Sequence, residues 1–255
     1  MTLSVLWQPA PMTSDLGRIV HYAGLWGVDG VELRTLGRHR QRVPDVNVAA
    51  VRRRVDDGDV DIAVVDPGLF AARALERAVW MNDLQQLPDV VRFCTQVSAG
   101  AILLEGLDGS GPSALEAFGE ALQLTGTVPG LRLLVADSAG DQKADELILG
   151  IGSENLLRAV TTSLTAPVAH GNMSQVGMIR GVGEFEALPD EASLCAIWTE
   201  FLTEKVADGF SGDIVFEFTS RAESGKVGLR VSTALIKAAA AASRRTLVLQ
   251  HPSKK

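Results

Sequence analysis

Charged and amide side chains recur in this chain directly behind short aliphatic runs, and those are the positions from which chemistry would be done. Glu32 and Arg34 close the run Val31-Glu32-Leu33-Arg34, Asp66 follows Val64-Val65, Glu105 follows Leu103-Leu104, and Asp137 follows Val135-Ala136. Further along, His170 and Asn172 follow Val168-Ala169, Arg180 follows Met178-Ile179, and Glu217 follows Val215-Phe216. Carboxylates such as Glu105, Asp137 and Glu217, gathered in one pocket, suit proton transfer or the holding of a divalent cation. Arg34 and Arg180 offer charge-assisted hydrogen bonds to a carboxylate or phosphate. His170 beside a carboxylate suits a metal ligand or a general base.

Each of these positions also has a plainer explanation. Glu32 can simply pair with Arg34 or with an arginine of the following loop, because buried charges are normally paired. Asp137 precedes Ser138-Ala139-Gly140-Asp141 and can cap a turn. A single histidine without a spaced partner is weak as a ligand, so His170 reads equally as a loop residue. Arg52, Arg53 and Arg54 read as a solvated helix face, and the cluster Arg38-His39-Arg40-Gln41-Arg42 reads first as a soluble loop, with an anion site as the alternative. Trp80, Trp198, Cys94 and Cys195 fall inside helical patterns and read as packing residues.

The elements that would position these groups alternate. Strand candidates are Leu3–Leu6, Gly30–Leu33, Asp61–Val65, Ala101–Leu104, Leu131–Val135, Ala166–Ala169, Val176–Ile179 and Asp213–Phe218, each short and nearly all apolar, as parallel strands buried on both faces are. Helix candidates lie between them. One is opened by Ser14-Asp15 and ends near Gly27, a second is opened by Pro44-Asp45, and Phe70–Ser98 reads as two helices broken near Pro88. The rest are Pro112–Leu124, Ser153–Leu164, Pro189–Ala207 and Lys226–Ala242. Strand-helix alternation repeated eight times predicts right-handed crossovers and a parallel sheet closed into an α/β, (β/α)8 barrel, with residues 1–255 as a single domain. Active groups of such a barrel sit at the C-terminal ends of its strands, where the residues above stand.

Composition narrows the classes. The chain has 255 residues, 46% of them hydrophobic and 22% charged, enough apolar matter for a large core. No apolar run approaches the roughly 20 residues that span a bilayer, and the N-terminus lacks a secretory pattern, so no membrane partner is expected. Two cysteines at positions 94 and 195 make neither a disulfide framework nor a metal spacing, and a cytoplasmic location is the default expectation. A formal charge of −7 disfavours a nucleic-acid binder. The stretch after the first strand, Trp7-Gln8-Pro9-Ala10-Pro11, has no G-x-G-x-x-G, and there is no phosphate loop, so no nucleotide cofactor is expected. Apolar residues on helix exteriors are compatible with a homo-oligomer.

Two segments carry a family resemblance. Ala23-Gly24-Leu25-Trp26-Gly27-Val28-Asp29-Gly30-Val31-Glu32-Leu33-Arg34 is similar to the second-strand signature of the sugar phosphate isomerase/epimerase family, the xylose-isomerase-like TIM barrels, which also include the endonuclease IV type of DNA-repair enzyme. Gly181-Val182-Gly183-Glu184-Phe185, then Asp208-Gly209-Phe210 through Glu217, resembles that family's ending, in which the last glutamate is a metal ligand. The stretch Glu154–Leu157 through Pro167-Val168 fits the helix and strand before the family's sixth-strand ligand.

What the resemblance implies about ligands is met unevenly. The family pattern asks for a Glu after strand five, an Asp after strand six, a His near strand seven and the Glu of strand eight. Glu217 meets the last; Asp137 and His170 stand where the first two are asked for, which makes Asp137, His170 and Glu217 the candidate metal ligands. Arg180 replaces the strand-seven motif, and like charges 4 Å apart repel by about 4 kcal/mol at an effective dielectric of 20. A divalent cation in the familiar place therefore requires Arg180 to point away. The expectation is an isomerase- or epimerase-like enzyme that moves protons on a small carbonyl or hydroxy compound of the sugar or sugar-acid type. Glu217, Asp137 and His170 are its catalytic candidates; Glu32, Arg34, Glu105, Asn172 and Arg180 would hold the substrate. The alternative is a diverged barrel that binds a small anion without catalysis. DNA repair is disfavoured by the acidity and the lack of a dense His and carboxylate set.

Overall fold

Val, Ile and Leu fill eight short segments of the chain, and these close on one another. The computed structural model describes residues 3–70, 77–104, 119, 123, 128–137, 156–219 and 224–250, with the side chains of 77–80, 137, 185, 219, 224 and 246–250 outside the description. The barrel strands are β1 (Val5–Trp7), β2 (Gly30–Leu33), β3 (Ile62–Val65), β4 (Ala101–Leu104), β5 (Arg132–Asp137), β6 (Leu156–Ser163), β7 (Val176–Glu184) and β8 (Asp213–Thr219). Every neighbour pair is parallel, in the order β1 to β8 around the ring, with Leu6 of β1 registered on both Gly30 of β2 and Val215 of β8. The expected (β/α)8 barrel is therefore present and closed, which removes every sheet edge.

The pleat divides the core in two. Leu6, Val64, Ala101, Leu103, Leu134, Ala159, Met178 and Val215 pack together inside the ring. Residues one step away, such as Val5, Val31, Leu33, Val65, Ile102, Leu133, Val135, Ile179 and Phe216, belong to the outer core under the helices. The period of two thus decides which strand residues see the barrel interior. Arg132 and Asp213, the first residues of β5 and β8, form a 3.0 Å ion pair at the N-terminal end of the barrel.

Five helices surround the described part: α1 (Leu16–Trp26), α2 (Val48–Asp56), α3 (Arg77–Val97), α4 (Glu191–Ala207) and α5 (Ser224–Gln250). Asp15 caps α1 by accepting from Arg18 N at 2.9 Å, and Gly27 ends it in the left-handed region at φ 65°. Asn47, rather than Pro44-Asp45, caps α2. Trp7, Tyr22, Trp26, Phe216 and Phe218 form one aromatic cluster that ties β1 and β8 to α1. Trp198 of α4 donates its indole N–H to Leu164 O at 2.9 Å.

Three further expectations are corrected. Residues 156–163 are β6, not part of a helix over 153–164, and Ala166–Ala169 is not a strand. Leu156, Leu157, Ala159 and Val160 fit a helical stripe and a buried strand equally well, and closure of the ring, which takes this segment between β5 and β7, decides for the strand. Pro88 does not break α3. It lies on the exposed side between the buried Leu87 and Val90, and the helix runs through it. The expected helix over 112–124 falls mostly outside the described residues.

Candidate active site

Glu32 lies between Val31 and Leu33, which belong to the outer core, so the pleat turns it into the barrel. The β2–β3 register shifts at this point, between Val31 and Glu32, a local irregularity of the kind that re-aims a side chain. Arg180 of β7 follows the interior residue Met178 by two positions, Asp66 follows Val64 by two, and Glu217 follows Val215 by two. Four strands thereby deliver four charged residues to one interior.

Their contacts form a chain of alternating charge. Arg180 Nη2 donates to Glu32 Oε1 at 2.5 Å and lies 3.6 Å from Asp66 Oδ2. Asp66 Oδ2 also accepts from Arg34 Nε at 2.8 Å and Nη2 at 2.6 Å, while its Oδ1 accepts from Gly68 N at 2.9 Å. Glu32 and Asp66 are fully buried, whereas the Arg34 side chain is 27% exposed and opens toward solvent. Glu217 is half-buried, and its charge acts on Arg180.

Burial dominates the ionisation of Glu32 and raises its carboxyl to about 7; Asp66 adds to the rise, while Arg180 and Arg34 oppose it. For Arg180, burial works against the charged form, but Glu32 and Asp66, with a smaller push from Glu217, outweigh it and hold the guanidinium above its ordinary range. Glu32 Oε2 and Arg180 Nε are buried with no hydrogen-bond partner. An acceptor and a donor thus remain unspent beside one another's ion pair, where leaving them unmet is costly.

Among the residues expected from the sequence, Glu32, Arg34 and Arg180 come together and Glu217 joins their field. Glu32 pairs with Arg180 rather than with Arg34. Asp137 is the last residue of β5, in register with Val160, but its side chain is outside the description, as is Glu105 altogether. His170 and Asn172 are displaced. With β6 ending at Ser163, they lie on the return toward β7; Arg158, near the start of β6, donates to His170 O at 3.4 Å, and the residue itself is exposed. Among the described residues no hydrogen bond or ion pair joins His170 to Glu217. Asn172 spends its side-chain oxygen on Ser174 N and Oγ at 3.2 and 2.8 Å. Asp66 is the group that sequence reasoning left without a role. Its signal was present, a carboxylate directly behind Ile62–Val65 and ahead of Pro67-Gly68, but its two arginine partners are set only by strand register.

Solved structures share this architecture at low identity. An L-ribulose 3-epimerase superposes with a TM-score of 0.74 at 12% identity, covering 99% of this chain and 100% of its own. A xylose isomerase domain protein from Alicyclobacillus acidocaldarius superposes at 0.66 and 16% identity, covering 94% and 99%. The fold is the xylose-isomerase-like TIM barrel. Endonuclease IV from Thermus thermophilus has it too, at 0.60 and 14% identity, covering 92% and 99%, so this fold by itself does not choose the chemistry. No family model matches the sequence, and no curated protein does.

A xylose-isomerase-like barrel raises the question of a divalent cation, and the donor chemistry here answers poorly. Glu32 and Asp66 are committed to arginines, and the guanidinium of Arg180 stands beside them within the field of Glu217. Among the described residues no three of His, Cys, Asp and Glu converge as a metal group would require. The described residues therefore do not fit a cation at this position.

Proposed function

We propose that this barrel is an isomerase- or epimerase-like enzyme that moves a proton on a small hydroxy-carbonyl compound of the sugar or sugar-acid type, without a metal. Arg180 carries the reading: a cation of fixed charge, paired with Glu32, near Asp66 and within the field of Glu217, stands in the barrel interior. In this scheme Glu217 removes the proton on the carbon next to the carbonyl. The electron pair moves onto the carbonyl oxygen, and Arg180 stabilises the enediolate as it forms, the task that a preorganised positive group performs best in a low-dielectric site. Return of a proton to the opposite face of that carbon gives an epimer, and return to the adjacent carbon gives an isomer. Asp137, the last residue of β5, and Glu105, next in sequence after β4, are the candidates for the second carrier. Asp66 and Arg34 position Arg180, and the unspent Glu32 Oε2 and Arg180 Nε supply hydrogen bonds for the substrate's hydroxyl and carbonyl. The likeness of fold to an L-ribulose 3-epimerase supports the substrate class.

The test is solvent deuterium exchange. Chelator-treated protein in D₂O is offered a panel of aldoses, ketoses and sugar acids, and incorporation at carbon is read by NMR. Wild type exchanges at least one member, and Glu217→Gln slows that exchange about a hundredfold or more. A second reading, a barrel that binds a small anion without turning it over, draws on the inward-facing Arg34 and Arg180. Absence of exchange across the whole panel, with ligand binding retained, favours that reading.

A further inference from the structure

Gln8 directly follows β1 and takes no part in the chain of ion pairs. It comes two positions after the interior residue Leu6, so the pleat turns it into the barrel, and it is only 1% exposed. Strand register fixes its neighbours. Trp7 is aligned with Phe216 of β8 on one side and with Val31 of β2 on the other. Gln8, Glu217 and Glu32 each stand one residue further on, so the amide comes between two carboxylates on neighbouring strands about 4.8 Å apart.

Backbone and side chain of Gln8 are both pinned. Gln8 N donates to Phe216 O at 3.0 Å, and the side-chain oxygen accepts from Ala10 N at 2.6 Å, within the stretch Pro9-Ala10-Pro11. Met12 N and Thr13 N both donate to Pro9 O, at 2.9 and 2.8 Å, which holds that stretch as a turn. The Ala10 bond also decides which way round the amide lies: a backbone N–H is met only by the amide oxygen, so Nε2 points to the other side. That nitrogen carries two donor hydrogens, and among the described residues it donates to none.

Glu32 Oε2, on the adjacent strand, is sealed from solvent and accepts from nothing. A buried donor and a buried acceptor thus share one interior without bonding each other, and each costs free energy while it stays unmet. The group that answers both at once is a hydroxyl, whose oxygen accepts from an amide while its hydrogen goes to a carboxylate. A carbonyl or carboxylate oxygen meets only the amide, and an ammonium meets only the acid.

Resting on the reading of the ligand as a hydroxy-carbonyl compound, we propose that Gln8 Nε2 and Glu32 Oε2 form a subsite for one substrate hydroxyl, next to Glu217. An analogue with hydrogen in place of that hydroxyl is rejected, because the amide and the carboxylate are then left unpaired. The bonds to Phe216 and Ala10 fix the amide before the ligand arrives, so little ordering is needed on binding.

The experiment compares hydroxyacetone with acetone, which lacks the hydroxyl, on the full chain labelled with ¹⁵N. The Gln8 side-chain NH₂ signal is assigned by through-bond connection to its backbone. Hydroxyacetone shifts that signal saturably, and acetone does not. Gln8→Glu keeps an oxygen for Ala10 N but removes the donor, and it loses about tenfold or more in hydroxyacetone affinity, read from the ligand's methyl signal by saturation transfer. The shift of the Gln8 signal needs only wild type, so it decides even where the variant unfolds. A Gln8 signal unmoved by hydroxyacetone, or moved equally by acetone, overturns the proposal, as does a folded Gln8→Glu that binds hydroxyacetone as wild type does. A Gln8 signal that responds while carbon exchange is absent across the panel instead sinks only the catalytic reading.

Discussion

Glu32 is the side chain whose ionisation should be visible in the stability of the whole protein. Its folded carboxyl is raised from 4.5 to about 7, so between those values the folded state holds more protons than the unfolded one. Stability from this group is therefore present at low pH and declines as pH rises from about 4.5 to 7. Arg180, raised from a value already far above this window, contributes no slope there. We expect Glu32→Gln to flatten the pH dependence of the unfolding free energy across that window, which urea denaturation at a series of pH values measures; an unchanged slope contradicts the assignment. Asp66 gives a second prediction at this scale. Its one carboxylate serves both Arg34 and Arg180, so Asp66→Asn leaves buried positive charge poorly answered and destabilises the protein by about 3 kcal/mol. The same variant should slow exchange through kcat more than through KM, since it disorders Arg180 without removing it.

At the level of elements, glycines separate positions where a methyl group is forbidden from positions where it is welcome. A Cβ on Gly212, just before β8, would lie 2.2 Å from Gly177 O, so Gly212→Ala is expected to cost about 2 kcal/mol or more. Gly24, inside α1, meets nothing within 4 Å, and Gly24→Ala is expected to stabilise by about 0.5–1 kcal/mol. Denaturant midpoints of the two variants moving in the same direction would contradict this account of the backbone. Legibility also varied by element. Gly30–Leu33 and Ala101–Leu104 stand in the sequence with their observed bounds, because each is a short aliphatic run bounded by a turn residue and a charge. β6 was not legible: Leu-Leu-Arg-Ala-Val satisfies both periods, and only the ring that needs a sixth strand resolves it. That one ambiguity misplaced His170 and Asn172, whose roles depended on a strand ending just before them. Glu32 and Arg180 each stand out singly in the sequence, but their partnership joins positions 148 apart, a matter of closure rather than of local pattern.

The whole molecule acts as a closed ring that carries the Arg132–Asp213 pair at its N-terminal end and whose interior charges come from β2, β3, β7 and β8. Closure makes the Arg180 network possible, because β2 and β7 are not neighbours in the ring and meet only across its interior. Rigid packing on both faces of the strands holds those groups at fixed separations, the condition for electrostatic stabilisation without reorganisation. The most direct test of Arg180 standing in place of a cation needs no substrate. Chelator-treated protein is titrated with Mn²⁺, and the free ion is followed by electron paramagnetic resonance. We predict that the free-ion signal grows from the first addition, equally for wild type and Glu217→Gln. Retention of one equivalent by wild type, lost in Glu217→Gln, would contradict the account.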